Sequence, residues 1–433
     1  MHEDRRFSRR NLLQTGGAVV TGAALSISGP AASATGPSIP ADTGAVQGGR
    51  IQFPNWRGEG DTPPPPPPAP MPPDKRVGFA IVGLGRLTLE EILPAFAAAK
   101  SARAVALVSG SPEKARLVAA QYGIGAEAIY SYEEWDRLKA NATVQAVYIV
   151  TPNSLHRDQV IAAAGAGKHV LCEKPMATSS AEARDMVEAC TRAGRRLMIA
   201  YRCQYEPYNR EVARLSRSGE LGRVRLIQAF NGQTSGLPEQ WRLKRALSGG
   251  GALPDIGLYC LNGVRALLGE EPVSVQAQTY SPEGERRFAE VEESVVFTLR
   301  FLSGAIAQCT TSYGVYESRR LQVHTEKSDI DLENAFAYRG QRLVVSHREG
   351  KRGQRDEVVI APKNQFALEL DHMAECILKD RRPRTPGEEG LQDQILMEAI
   401  YEAARTGTVV PVGPLAGTSA GLDATRGPAL DDS

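Results

Sequence analysis

Apolar positions along the chain follow two different rhythms. In the first half, the runs 77–82, 104–108 and 146–150 are short and unbroken, and 168–171 and 196–200 are short apolar runs that open on polar residues. Between them, 88–96, 112–122, 154–166 and 179–193 place apolar side chains three and four apart. Unbroken runs suit strands buried on both faces, and the wider spacing suits amphipathic helices. Their alternation predicts a doubly wound parallel sheet, an α/β fold of Rossmann type, with its ligand at the carboxyl ends of the strands. Past residue 205 the period drops to two in the runs 224–228, 273–280, 291–300, 305–311 and 321–325. This predicts a C-terminal α+β domain with a large, open, mainly antiparallel sheet, one face on helices and the other free. Helical spacing returns at 366–378 and 390–404, helices expected to pack back on the first domain. The domains expected are therefore 75–204 and 205–412, followed by a disordered tail, 413–433.

The first 74 residues carry neither rhythm. Arg5, Arg6, Arg9 and Arg10 precede a modestly apolar run, 12–27, that closes at Ala32-Ser33-Ala34. Charged start, apolar middle and small-residue end describe an export signal, and 8–14 resembles its twin-arginine form. Residues 1–34 thus point to the periplasm, with the twin-arginine export machinery as a partner. Residues 35–74 include six consecutive prolines, which favour extended polyproline and form no core. This segment is a spacer or an arm laid over the globule or a neighbouring subunit; Phe53 and Trp56 are anchors that a spacer does not need.

Charge narrows the function. The chain has 433 residues, 51 of them Lys or Arg against 50 Asp or Glu, too balanced for a polybasic nucleic-acid binder. No stretch reaches the roughly 20 apolar residues of a membrane span, so no stable membrane anchor is expected. Cys172, Cys190, Cys203, Cys260, Cys309 and Cys376 are scattered without a CxxC and read as small core thiols. His169, His324, His347 and His372 lack acidic or cysteine partners at ligand spacing, so no metal is expected.

Gly83-Leu84-Gly85 follows the first strand at once and precedes a helix. In that setting the first glycine permits the turn, the second lets backbone approach a pyrophosphate, and the helix N-terminus faces the anion. Thr88 stands where a third glycine is usual. The second strand ends in Ser109-Gly110-Ser111-Pro112-Glu113-Lys114. A hydroxyl in place of a carboxylate leaves room for a 2′-phosphate, with Lys114 as its cation, so NADP is expected rather than NAD.

Two further loops, Thr151-Pro152-Asn153-Ser154-Leu155-His156 and Glu173-Lys174-Pro175-Met176, complete an ordered set. The set resembles the glucose-fructose oxidoreductase, inositol dehydrogenase and rhizopine-catabolism family, over about residues 75 to 410, and most closely its glucose-fructose branch. The resemblance implies pyrophosphate contacts at Gly83, Leu84, Gly85, Arg86 and Leu87, and a 2′-phosphate site at Ser109, Gly110 and Lys114. Tyr132, Thr151, Pro152, Asn153 and His156 would line the cofactor cleft, with Glu173, Lys174 and Arg202 beside the nicotinamide. Trp241, Arg242 and Tyr338 would close over it from the second domain. It also implies sugar substrates, a homodimer or homotetramer, and a cis peptide before Pro175. Two positions depart from that branch: Arg86-Leu87-Thr88 replaces Lys-Tyr-Ala, and Gln204 replaces a histidine expected near the sugar.

Oxidising a sugar hydroxyl needs a base, a cation for alkoxide character and a rigid cofactor. Asp255 and Tyr259 are four apart in a helical segment and share a face. Tyr259 is expected as the acid/base, with Lys174 positioning the hydroxyl and lowering the phenol's pKa. Asp255 would bind a substrate hydroxyl or orient Lys174. The function expected is a periplasmic NADP-dependent sugar oxidoreductase that keeps its cofactor, oxidises an aldose such as glucose to its lactone, and reduces a second sugar, fructose to sorbitol, by ping-pong hydride transfer. Aldose-aldose exchange and ordinary sugar dehydrogenation are the alternatives within the class. A non-catalytic sugar-binding protein on the same scaffold is the alternative outside it.

Overall fold

A computed structural model describes residues 44–53 and 76–414. The export signal, the tail from 415, Trp56 and the prolines lie outside the described residues. Of the arm, a hairpin of β1 (Ala45–Gln47) and β2 (Arg50–Gln52) is described.

The first sheet is built from β3 (Val77–Val82), β4 (Ala102–Val108), β5 (Ile129–Tyr130), β6 (Ala146–Ile149), β7 (His169–Glu173) and β8 (Leu197–Ala200). All pairs are parallel, in the order β5-β4-β3-β6-β7-β8. β3 and β6 are buried throughout, as unbroken apolar runs require. The winding reverses between β3 and β6, so the turns at Gly83 and Thr151 open a crevice there. Short β5 carries no run long enough to announce itself in the sequence.

Helices α1 (Leu93–Ala95), α2 (Pro112–Tyr122), α3 (Trp135–Ala140), α4 (His156–Gly165) and α5 (Ser180–Arg192) connect these strands. Ser111 and Ser179 cap α2 and α5 with their hydroxyls, satisfying backbone N–H groups of the first turn. Helices α6 (Pro207–Ser218), α7 (Arg245–Ser248), α8 (Leu258–Leu268), α9 (Gln365–Leu378) and α10 (Gly387–Thr406) follow.

The second sheet comprises β9 (Val224–Thr234), β10 (Pro272–Tyr280), β11 (Ser294–Phe301), β12 (Ile306–Ser312), β13 (Gly314–Thr325), β14 (Ser328–Glu333), β15 (Arg342–Glu349), β16 (Arg352–Val358) and β17 (Val410–Pro411). Its order is β16-β15-β14-β13-β9-β12-β11-β10-β17, antiparallel except where β12 pairs β9. Ile227, Val295, Phe297, Leu299 and Val323 fill the helix-covered face. Burying each contributes roughly 1.5–3 kcal/mol. Leu226, Tyr280, Val296 and Ile306 remain exposed, so this sheet keeps an open side. The expected fold class holds in both halves. β14 to β16 are additional to the expected strands: β15 and β16 lack clean alternation, whereas β14 alternates acidic with apolar residues.

One hydrophobic cluster runs through both sheets. Helix α9 accepts at Asp371 the backbone N–H groups of Lys100 and Ser101, and Glu398 of α10 accepts from Ser180, so both helices return to the first sheet. Helix α8 is tied to α10 by Arg265, fully buried against Glu271 at 2.6 Å, Glu389 at 3.4 Å and Asp393. Burial pushes the Asp393 carboxyl up to about 6, although Arg265 opposes it. Gln204 belongs to this cluster: its amide donates to Asn262 at 2.8 Å and Glu389 at 3.3 Å. The expectation that it lies near the sugar pocket is therefore corrected.

Candidate active site

A cavity of about 730 Å³ occupies the crevice between the two sheets and is lined from both. Gly83 turns with φ +95°, and a Cβ there would stand 2.5 Å from the Val150 carbonyl oxygen. Only glycine satisfies both the backbone and the approach of the neighbouring loop. Thr88 is buried, and its hydroxyl donates to the Gly83 carbonyl at 2.7 Å. The missing third glycine is thereby compensated: a side chain braces the turn. The chain then runs through a π-helical turn, Thr88–Ile92, into α1.

Ser109, Gly110, Ser111 and Lys114 line the same cavity. The Ser111 N–H donates to Ser109 Oγ at 3.1 Å, shaping the bend that leads into α2. Burial lowers the Lys114 pKa, the cost of holding an ammonium at the cavity wall. No carboxylate stands at the end of β4. A tight glycine turn, a serine-lined bend and a partly desolvated ammonium fit a dinucleotide carrying a 2′-phosphate. At the rim, Gly44 of the arm lines the cavity, and the Arg86 guanidinium lies 4.7 Å from the Phe53 ring centroid.

Leu84, Gly85, Arg86, Leu87, Tyr132, Thr151, Pro152, Asn153, Glu173, Arg202, Trp241, Arg242 and Tyr338 all reach the cavity. His156 does not. It is fully buried, Nδ1 3.0 Å from the Pro175 carbonyl and Nε2 2.9 Å from the Thr151 carbonyl. Burial lowers its pKa. The histidine joins two cavity loops from behind, and its expected place in the cofactor wall is corrected.

The expected catalytic residues Lys174, Asp255 and Tyr259 meet across the two lobes. Lys174, before a cis peptide to Pro175, directs Nζ to the Asp255 carbonyl at 2.6 Å and to Oδ1 at 3.5 Å. Asp255 Oδ2 accepts from Tyr313 at 2.6 Å and lies 3.3 Å from Arg242 Nε. Burial opposes ionisation, yet Arg242 and Lys174 hold the Asp255 carboxyl down at about 2. With its oxygens so engaged, Asp255 orients Lys174. Tyr313 was missed by sequence reading; a tyrosine ending a strand gives no local signal.

The expectation for Tyr259 is corrected in one respect. Lys174 Nζ lies 4.4 Å from the centroid of its ring, whereas the hydroxyl accepts from Arg202 Nε at 3.2 Å. Burial raises the Tyr259 pKa despite Arg202, so the phenol is neutral near pH 7. An ammonium on the ring face does not favour phenolate as one at the oxygen would. Arg202 is itself fixed by Gln365 at 2.7 Å and the Phe336 carbonyl at 2.7 Å. It joins the end of β8 to the second sheet and α9.

Three of the histidines also differ from expectation, His347 among them, with Nδ1 3.5 Å from Asp356. His324 pairs with Asp329 at 2.6 Å, and His372 lies 3.4 Å from Cys376 Sγ. Among the described residues these pairs do not grow into a group of three metal-ligating side chains. All six cysteines are free thiols.

Glycine turn, switch-point crevice and a cluster of ionisable groups at its far end define a nicotinamide-dinucleotide-dependent oxidoreductase. Residues 77–201 match the oxidoreductase family with an NAD-binding Rossmann fold, and 209–331 match the GFO/IDH/MocA C-terminal domain. The chain is 36% identical over 345 residues to the NADP-dependent D-xylose 1-dehydrogenase of Haloarcula marismortui, covering 78% of this chain and 93% of that protein. It is 29% identical to 1,5-anhydro-D-fructose reductase of Ensifer adhaerens, over 77% of this chain and 98% of that one. The crystal structure of aldose-aldose oxidoreductase from Caulobacter crescentus superposes with a TM-score of 0.75 at 46% identity, covering 78% of this chain and all of that one. The chain belongs to the GFO/IDH/MocA oxidoreductase family.

Proposed function

We propose that the protein is an NADP-dependent sugar oxidoreductase that keeps its nucleotide through two half-reactions, oxidising an aldose to its lactone and reducing a second sugar. The observation that carries this reading is one cavity lined by Ser109 and Lys114, suited to a 2′-phosphate, and also by Lys174, Asp255, Tyr259 and Arg202. Relatives named for NADP and for sugars support it. When bound, the nicotinamide accepts or returns a hydride at the sugar carbon.

Lys174, aimed by Asp255, binds the reacting hydroxyl and stabilises alkoxide character. Tyr259 moves the proton, and Arg202 stabilises its phenolate. Because burial keeps Tyr259 protonated, it is loaded as an acid for the reductive step. The oxidative step needs its phenolate and accelerates as pH rises. The arm supports retention: Gly44 lines the cavity, and Phe53 packs on Arg86 of its wall. Apolar residues on the open side of the second sheet suit a homodimer or homotetramer interface.

The 46% identical aldose-aldose enzyme favours an aldose as the second sugar over fructose. Incubation with glucose plus either fructose or a second aldose, followed by product analysis, separates the two. Sorbitol identifies the ketose acceptor, and an alditol of the second aldose identifies the other. Failure to form lactone with any pair, from protein whose denaturation releases NADP, contradicts the proposal. Periplasmic location is part of the reading; fractionation should find the protein exported, and Arg9→Lys with Arg10→Lys should retain it inside.

A further inference from the structure

Behind the reactive end, three residues form a cluster that the mechanism above does not use. Tyr148 of β6 and Glu369 of α9 are fully buried, and Glu173 of β7 reaches from beside them to the cavity. Tyr148 Oη donates to Glu173 Oε1 at 2.7 Å and lies 3.4 Å from Glu369 Oε2. One hydroxyl proton serves one acceptor, so the longer contact is not a second donation. The other oxygen of Glu369, Oε1, is buried with no hydrogen-bond partner.

Charge decides which carboxyl is ionised. Glu173 has Lys174 and Arg202 near it, and its Oε2 accepts the Lys174 backbone N–H at 3.2 Å. The charged and titratable groups near Glu369 are Glu173, Arg202, Tyr148, Cys203 and Tyr205. Arg202 spends its hydrogen bonds elsewhere, on Tyr259, Gln365 and two carbonyls. A second carboxylate here would be dry, unpaired and beside an anion, a costly arrangement. A neutral acid supplies a proton for which the Tyr148 oxygen is the available acceptor.

We propose that Glu369 is a neutral carboxylic acid that donates to Tyr148, which in turn donates to the Glu173 carboxylate, and that this chain positions Glu173 at the edge of the reactive cavity. Glu369 is thus a positioning residue that acts through Tyr148. Burial raises both carboxyls, and the donation from Tyr148 helps keep Glu173 ionised. The role rests on the functional reading given above, although the protonation state does not.

Infrared spectra of the whole protein at neutral pH should contain a carboxylic-acid carbonyl band that disappears in Glu369→Gln. Turnover should survive in Glu369→Gln, whose amide donates as the acid does. It should fall about fivefold in kcat in Glu369→Ala, the worth of one hydrogen bond between neutral groups, with sugar KM unchanged. Tyr148→Phe, which deprives Glu173 of its donor, should move the acid limb of the kcat/KM profile to higher pH; Glu369→Gln should leave it in place. Absence of the band, or equal losses in Glu369→Gln and Glu369→Ala, overturns the proposal. The spectrum needs no turnover, so a protein that oxidised no sugar would contradict the functional reading while this test still decided the state of Glu369.

Discussion

At the end of the cavity that meets the glycine turn, Gly83, Ser109 and Lys114 come from one sheet and two neighbouring strand ends. At the other end, Lys174 follows β7, Arg202 follows β8, Asp255 and Tyr259 precede and begin α8, and Tyr313 follows β12. The first end is set by local backbone: a positive φ and a serine-lined bend. The second is set by how two lobes pack, through Arg202, the Arg265 cluster and α9. Nucleotide binding should therefore tolerate changes in the second lobe, whereas hydride transfer should not.

Lys174→Met gives the largest contrast. It should lower kcat about 10³-fold, within the range for a lost charge-stabilising group, while the nucleotide content of the purified protein stays unchanged. Gly83→Ala strikes the opposite end. The strained φ alone costs about 1–3 kcal/mol, and the Val150 carbonyl must move as well. Nucleotide affinity should drop roughly tenfold to a hundredfold by titration calorimetry, with the second sheet's folding intact. Lys114→Ala should weaken NADP about tenfold and leave NAD nearly unaffected, measured as the ratio of their dissociation constants.

The smallest effect concerns pH. Asp255 is depressed to about 2 in the fold, so its stabilising contribution is present above its ordinary pKa and lost as pH falls through about 2. Arg242→Met removes the foremost cation acting on it. The carboxyl should then titrate at higher pH, seen as an upward shift of the acid limb of kcat.

Legibility followed the same division. The crevice could be read because its parts lie in short, contiguous segments: Val77–Val82 into Gly83, then 109–114, then 151–153. Lys174, Asp255 and Tyr259 could be proposed from loop motifs and a four-residue spacing, but not their wiring. Which cation meets the Tyr259 oxygen depends on Arg202 being held by Gln365 and Phe336, more than 130 residues away along the chain. Sequence spacing carries no such information. His156 and Gln204 misled for the same reason, since a polar residue near a motif looks alike whether it faces a cavity or a buried carbonyl. Strand β16 escapes because an exposed, charged sheet edge lacks clean alternation, whereas β14, inside the sheet, alternates and could have been read.

The account depends on a retained nicotinamide facing Lys174 and Tyr259. The most direct measurement is the near-ultraviolet absorbance of reduced nicotinamide in exhaustively dialysed protein, without added nucleotide, on addition of an aldose and then of a second sugar. The absorbance should rise to one equivalent per active site with the first sugar and vanish with the second, and Tyr259→Phe should suppress both steps while keeping its nucleotide. A trace that stays flat in nucleotide-loaded wild type, or a Tyr259→Phe protein that cycles like wild type, would contradict it.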